Sequence, residues 1–374
     1  MRGRSRSVGL ALAGGGPFGA IYEIGALLAL EEAFENVELT DLDCYVGVSA
    51  GSFVAAALAN RVSVREMYRL FISGEKGPDA VRPRLFTRPA YAEVARALLA
   101  GRLPAGFVAN DAIDSCLAAV FSRPGRSNDF RRLARRLFIV ATDLDSGASV
   151  SFGRPGHDAV PISRAVQASA ALPGLFPPVE IDGRWFVDGA LKKTLHASEA
   201  LDHGARLVLC VNPIVPYDAS LAAAKGRSLP ARLVDGGLPV ILSQSIRAVI
   251  HSRMAAGIAK YRTQYRGRDV VLFEPEPDDT EIFFTNPFSY AARRRVCEHA
   301  YLRTRLDLAR RRPELAPILA RHGIRVRWEA LLEPGRGLPA PRARFAATRE
   351  LRMTATHLRD TLVDLERLLE TTAA

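Results

Sequence analysis

Three short stretches of this chain hold residue types that could do covalent chemistry together. The first is GVSAG, residues 47–51, where Ser49 lies between Gly47 and Gly51. Where a strand turns directly into a helix, glycines two positions to either side remove the side chains that would collide at the bend. The hydroxyl is then pushed outward beside the first N–H groups of the helix. Such a serine can attack an acyl carbon, although the same five residues also make an ordinary small-residue turn against a sheet. The second stretch is GGGPFG, residues 14–19, which satisfies G-x-G-x-x-G and ends at Gly19. A dinucleotide-binding loop of this kind wants an acidic residue at the end of the second strand to hold a ribose. Here that strand ends in Gly47-Val48-Ser49, with Asp41 and Asp43 ahead of it. The competing use is to offer the N–H groups of Gly14, Gly15 and Gly16 to an oxyanion, Pro17 having none to offer. The third stretch is Asp188-Gly189-Ala190, whose small residues after the aspartate let another group come close. Asp188 either closes a turn or serves as a general base.

The histidines His157, His196, His203, His251, His299, His322 and His357 are scattered through polar or helical contexts. Only His196 and His203 follow a strand closely enough to be considered, so the base is sought elsewhere. An ordinary α/β-hydrolase is also excluded, because it needs several strands before its nucleophile and the order Ser, Asp or Glu, His.

The elements that would position these residues can be read from periodicity and turn residues. Residues 8–13 form a short apolar run that reads as a buried strand feeding the glycine loop, and residues 20–34 have helical spacing. A second strand, residues 44–48, precedes an alanine-rich helix over 52–59. Strand, loop, helix, strand, turn, helix is the pattern of a parallel sheet covered by helices. Residues 61–136 read as mainly helical, 137–142 and 150–152 as strands, and VEIDGRWFVDG (179–189) as a hairpin about the type I′ pair Asp182-Gly183. Another buried strand is expected at 207–211. Beyond it, residues 213–237 are rich in proline, alanine and glycine and read as a loop or lid. A helix over 239–261, a strand at 270–273 and a helix over 289–311 follow. The tail carries Leu351, Leu358, Leu362, Leu365 and Leu369 as a short heptad stripe, expected to dock on its own domain. IFFTNPF (282–288) reads as buried aromatic packing or an interfacial patch.

With the glycine loop, the serine elbow and the D-G-A in that order, the sequence resembles the patatin-like phospholipase family. ATDLDSG (141–147) and ISRAVQASAALPGLFPPVEIDGRWFVDGA (162–190) are similar to that family's stretch before its aspartate. The resemblance spans residues 8–212. It implies an α/β, three-layer α/β/α patatin-like fold with a central, mainly parallel sheet. Residues 213–374 would then be a lid-like loop and a mostly helical C-terminal extension. It also implies a Ser-Asp dyad made of Ser49 and Asp188, with Gly14, Gly15 and Gly16 as the oxyanion hole. Gly19, Gly47, Gly51, Gly189 and Ala190 complete the motifs. The implied activity is cleavage of lipid acyl esters, without cofactor or metal. Family members commonly carry arginine or lysine before the last glycine of the loop, where this chain has Phe18. That departure favours a neutral lipid, a fatty acyl ester or a polyester over a phosphodiester.

Composition sets the outer bounds. The 374 residues are 48% hydrophobic, enough for a large core. Four cysteines lie far apart without a C-x-x-C, so neither a metal site nor a disulfide framework is implied. The start, MRGRSRSVGLALAGGG, imitates a signal peptide, but its apolar stretch is too short and runs into glycines. No stretch approaches the roughly 18 apolar residues of a membrane span, so a cytoplasmic protein, with peripheral contact to a lipid surface, is expected. The formal charge of +11 is largely arginine. It suits a polyanion such as nucleic acid, an anionic membrane or an acidic granule, but arginine-rich, lysine-poor composition with abundant alanine is also what a GC-rich genome produces without selection for binding, and that reading is preferred; no nucleic-acid motif is present. Two functions compete with hydrolysis: a catalytically silent lipid- or granule-surface-binding protein of the same fold, and a nucleotide-binding enzyme.

Overall fold

The computed structural model describes residues 7–73, 106, 108–226, 232–285, 292–333 and 337–338. Runs that are apolar from end to end make the centre of its sheet. Val8–Leu12 (β1), Cys44–Val48 (β2) and Leu207–Val211 (β7) are buried at every position, as parallel strands covered on both faces must be. The other strands are Arg136–Asp143 (β3), Ser149–Phe152 (β4), Val179–Ile181 (β5), Arg184–Asp188 (β6) and Asp269–Phe273 (β8). They lie in the order β5-β6-β3-β2-β1-β7-β8, with β4 also on β3. From β3 to β8 all neighbours are parallel, while β4 and β6 run antiparallel to β3 and β5 antiparallel to β6. The β5–β6 turn has positive φ at both Asp182 and Gly183, as the type I′ reading requires.

Helices are Gly16–Ala33 (α1), Ala50–Ala59 (α2), Val64–Met67 (α3), Asp111–Phe121 (α4) and Ile162–Ser169 (α5). Then come Ala197–Asp202 (α6), Ala219–Ala224 (α7), Gly237–Gln264 (α8), Thr280–Phe284 (α9), Arg293–Arg310 (α10) and Arg312–Arg321 (α11). Crossovers between parallel strands are right-handed. Because β1-β2-β3 and β7-β8 step in opposite directions across the sheet, their crossover helices fall on opposite faces. One face receives α6 and α8, whose Ala200, Leu201, Met254 and Tyr261 share a core with Ala11, Val46, Val208 and Cys210. The other carries α1 and α2, and α10 packs on α1 so closely that a Cβ at Gly25 would stand 2.2 Å from the Cys297 carbonyl. Across that contact buried Arg305 pairs with Glu32, which also accepts a hydrogen bond from Tyr301.

β8 completes the sheet from beyond residue 212, the boundary expected from sequence. The chain forms two compact units, Met1–Gly337 and Leu338–Ala374. The leucine stripe of 351–369 lies outside the described residues. Of the region 213–237, the structure describes α7 and a 3-10 turn at Leu233–Gly236.

Candidate active site

At the switch point of the sheet, β1 has β2 on one side and β7 on the other, and the turns after β1 and β2 open on the same edge. Ser49 occupies the turn after β2 with φ 52° and ψ −125°, a left-handed φ that a non-glycine residue holds only under constraint. The constraint is visible in its neighbours. A Cβ at Gly47 would come within 2.4 Å of Ser52 Cα, and one at Gly51 within 2.6 Å of the Ala13 and Leu12 carbonyl oxygens. The bend therefore exists only with glycine at both positions.

Strand register brings Asp188 to this bend. Val48 pairs with Val140 of β3, and Ala141, the next residue, pairs with Asp188 of β6. Ser49 and Asp188 thus end up at one level on either side of β3, near Ala141, and meet across it. The Ser49 hydroxyl donates to Asp188 Oδ2 at 2.6 Å, while Asp188 Oδ1 accepts the Ala190 N–H at 2.8 Å. The Asp188 N–H donates to the Ala171 carbonyl at 3.0 Å, and its own carbonyl accepts Thr142 Oγ1. Asp188 is 2% exposed. Burial pushes its carboxyl up to about 6, against the opposing pull of the Ser49 and Ala190 hydrogen bonds.

The glycine loop closes the third side. A Cβ at Gly14 would sit 3.0 Å from Ala190 Cβ and 3.1 Å from Ser49 Cβ, so this backbone runs directly beside the hydroxyl. Ala13 donates its N–H to Val211, but the N–H groups of Gly14, Gly15 and Gly16 have no acceptor among the described residues. Gly19 Cα packs near Gly15, and Gly189 lies against the Val140 carbonyl. Ser49, Asp188, Ala190 and the glycine loop are thus brought together.

Phe18 takes no part at the mouth of the loop. Its side chain is 5% exposed, packed into the core at the start of α1. The histidines also stay away: among the described residues none hydrogen-bonds Ser49 or Asp188. His196 is buried and pushed down to about 3 by desolvation, and His203 bonds the Glu199 carbonyl and stacks on Phe138. Aromatic packing claims part of the 282–288 stretch, Phe283 lying against Tyr217, while Phe284 is 45% exposed.

Ser169 was not picked out from sequence. At the end of α5 it is fully buried, its Oγ accepts the Ser49 N–H at 2.8 Å, and its hydroxyl donates to the Val140 carbonyl at 2.6 Å. It thereby ties the bend to β3. A small polar residue in the buried run AVQASAA is the one sequence signal that could have revealed it.

A parallel-sheet protein with its serine on a strand-to-helix bend, bonded to a buried acid beside a glycine loop, has the frame used for nucleophilic acyl transfer. The sequence profile of the patatin-like phospholipase family matches residues 10–201, just over half of the chain. The chain belongs to that family. It is 30% identical over 210 residues to an uncharacterised NTE family protein of Mycobacterium tuberculosis, covering 55% of this chain and 30% of that one. It is 28% identical over 215 residues to a lysophospholipase of Aspergillus fumigatus, covering 55% of this chain and 12% of that one. The chain thus spans less than a third of the length of these relatives. Among solved structures it is similar to VipD from Legionella pneumophila, with 13% identity, a TM-score of 0.38, and coverage of 78% and 66%. Full-length ExoU of Pseudomonas aeruginosa gives 18% identity, a TM-score of 0.29, and coverage of 69% and 53%. No helix among the described residues is long and apolar enough to cross a membrane.

Proposed function

We propose that this chain is a serine hydrolase of lipid acyl esters, with Ser49 as nucleophile, Asp188 as general base and Gly14, Gly15 and Gly16 as oxyanion hole. Ser49 Oγ attacks the ester carbonyl while Asp188 Oδ2 takes its proton. The carbonyl oxygen becomes an oxyanion held by the glycine N–H groups. Collapse expels the alcohol, which leaves with the proton from Asp188, and Ser49 is acylated. Water, deprotonated by the same carboxylate, then attacks the acyl-enzyme and releases the acid. A carboxyl raised toward 6 accepts a proton more readily than an ordinary one and is still ionised at neutral pH. Each oxyanion donor is worth about 2.7–4 kcal/mol in such sites.

One observation carries this reading: a 2.6 Å serine–carboxylate hydrogen bond beside glycine N–H groups that have no acceptor among the described residues. Family membership supports the choice of lipid. The buried Phe18 leaves the loop without a cation for a phosphate, which supports esters whose reacting end is uncharged. The test is fluorophosphonate labelling and hydrolysis of a panel of acyl esters and phospholipids by the wild type and Ser49→Ala. Labelling and turnover should both vanish in the variant. A wild type that binds lipid but is neither labelled nor active would be the silent binding protein instead.

A further inference from the structure

We infer that the outer stripe of the long helix α8 is a docking surface for an anionic lipid bilayer. In the crossover from β7 to β8, the second half of α8 packs on the sheet through Met254 and Tyr261. The first half lies past the strand ends: Arg247 donates to the Val215 carbonyl and Gln244 to that of Tyr217, in the segment that leaves β7. This is the edge that carries Ser49. On this half Leu238, Ile241, Leu242, Ile246 and Val249 recur at helical spacing and are between 42% and 67% exposed. Amphipathic surface helices normally turn such a stripe inward. Here the apolar stripe faces out for about 16 Å of helix.

Charge decides what covers it. The same stripe continues into exposed Arg253 and Lys260, and the 28 residues of α8 include no aspartate or glutamate. Aliphatic side chains followed by cations, with no acid on the element, suit insertion at the acyl boundary of a membrane whose headgroups are negative. The stripe also adjoins the candidate site. Arg253 donates to the carbonyl of Leu191, three residues after Asp188, and Leu191 itself is 43% exposed. Leu172, next to the Ala171 carbonyl that accepts the Asp188 N–H, is 41% exposed. A bilayer seated on α8 would therefore reach the approach to Ser49, where a docked protein would obstruct it. The choice of lipid over protein rests on the proposed lipid hydrolase activity.

The test uses the full chain with Ser49→Ala, so that vesicles stay intact. Sedimentation is measured with vesicles of about three parts phosphatidylcholine to one part phosphatidylglycerol, and with phosphatidylcholine alone. Binding should favour the anionic vesicles and weaken with salt. Ile241→Glu with Ile246→Glu should reduce it about a hundredfold. Arg253→Gln and Lys260→Gln should each reduce it about fivefold. In the chain with Ser49 intact, the double Ile variant should hydrolyse a water-soluble short-chain ester as the wild type does, which also shows that it folds. Three results would each overturn the inference: no binding to anionic vesicles, binding indifferent to the Ile pair, or a concentration-dependent dimer that the Ile pair dissolves. Failure of the wild type on the soluble ester would remove the proposed activity and leave the vesicle result to be read by itself.

Discussion

Replacing Asp188 by asparagine should make the protein more stable while abolishing the proposed hydrolysis. The carboxyl is buried, and its pKa is raised from 3.8 to about 6 with the Ser49 and Ala190 hydrogen bonds already in place. Unfolded, it would titrate at its ordinary value. Between pH 4 and 6 the folded state thus keeps a proton that the unfolded chain has released. Its stabilising contribution is full below about 4 and is lost as pH rises through about 6. At 1.36 kcal/mol for each tenfold change, the rise from 3.8 to about 6 amounts to about 3 kcal/mol at neutral pH. An asparagine amide is neutral throughout and should recover most of this, less about 1 kcal/mol for a poorer match to the Ser49 hydroxyl. A gain of about 2 kcal/mol is expected at pH 7, or about 3 °C in Tm for a unit of this size. Below pH 4, where the carboxyl is protonated in both states, the order should reverse and the asparagine variant should be about 1 kcal/mol the less stable. Urea unfolding of both proteins from pH 4 to 8 measures the difference directly. An asparagine variant less stable than wild type at pH 7, or a gap that does not change with pH, would refute the idea that an uncompensated buried carboxylate sits in this site.

Hydrolysis of a soluble ester should fall as pH drops through about 6, because kcat/KM needs Asp188 ionised; a limb that disappears on replacing His196 would point to a different base. Ser169→Ala should leave the buried Ser49 N–H without its acceptor, lowering kcat by about tenfold to a hundredfold with KM little changed, as initial rates would show. Phe18→Arg should bury a cation and reduce both thermal stability and activity on every ester tested; unchanged melting would mean that the ring is not packed as described. Glu23 is fully buried, neither of its carboxyl oxygens has a partner among the described residues, and burial raises its pKa well above the ordinary range. Glu23→Met should therefore stabilise the fold by about 1–3 kcal/mol at pH 7, readable in the same urea series.

The geometry of the candidate site was legible because each motif is local. Gly47 and Gly51 mark the bend, Gly14 marks a backbone that passes a side chain, and Asp182-Gly183 marks the hairpin that ends at Asp188. The apolar runs at 8–12, 44–48 and 207–211 likewise announce buried parallel strands. What escaped was assembled from distant segments. β8 reads as one more strand after a long helix, and nothing local says that it pairs with β7. The cation missing at residue 18 says nothing of where the phenyl ring goes, which packing around α1 decides.

Ser169 escaped for a sharper reason. Its two partners are the N–H of Ser49, 120 positions away, and a carbonyl of β3. Val140 is where the site is held together: it pairs with Val48, its carbonyl takes the Ser169 hydroxyl, and a Cβ at Gly189 would stand 2.2 Å from that same oxygen. Three separate segments are thus registered on the backbone of one residue. Any residue at position 140 would supply the carbonyl, so its role leaves no mark in its own side chain. The mark appears instead at its neighbours, as a glycine that must lack a Cβ and a buried serine that would otherwise have no reason to be polar.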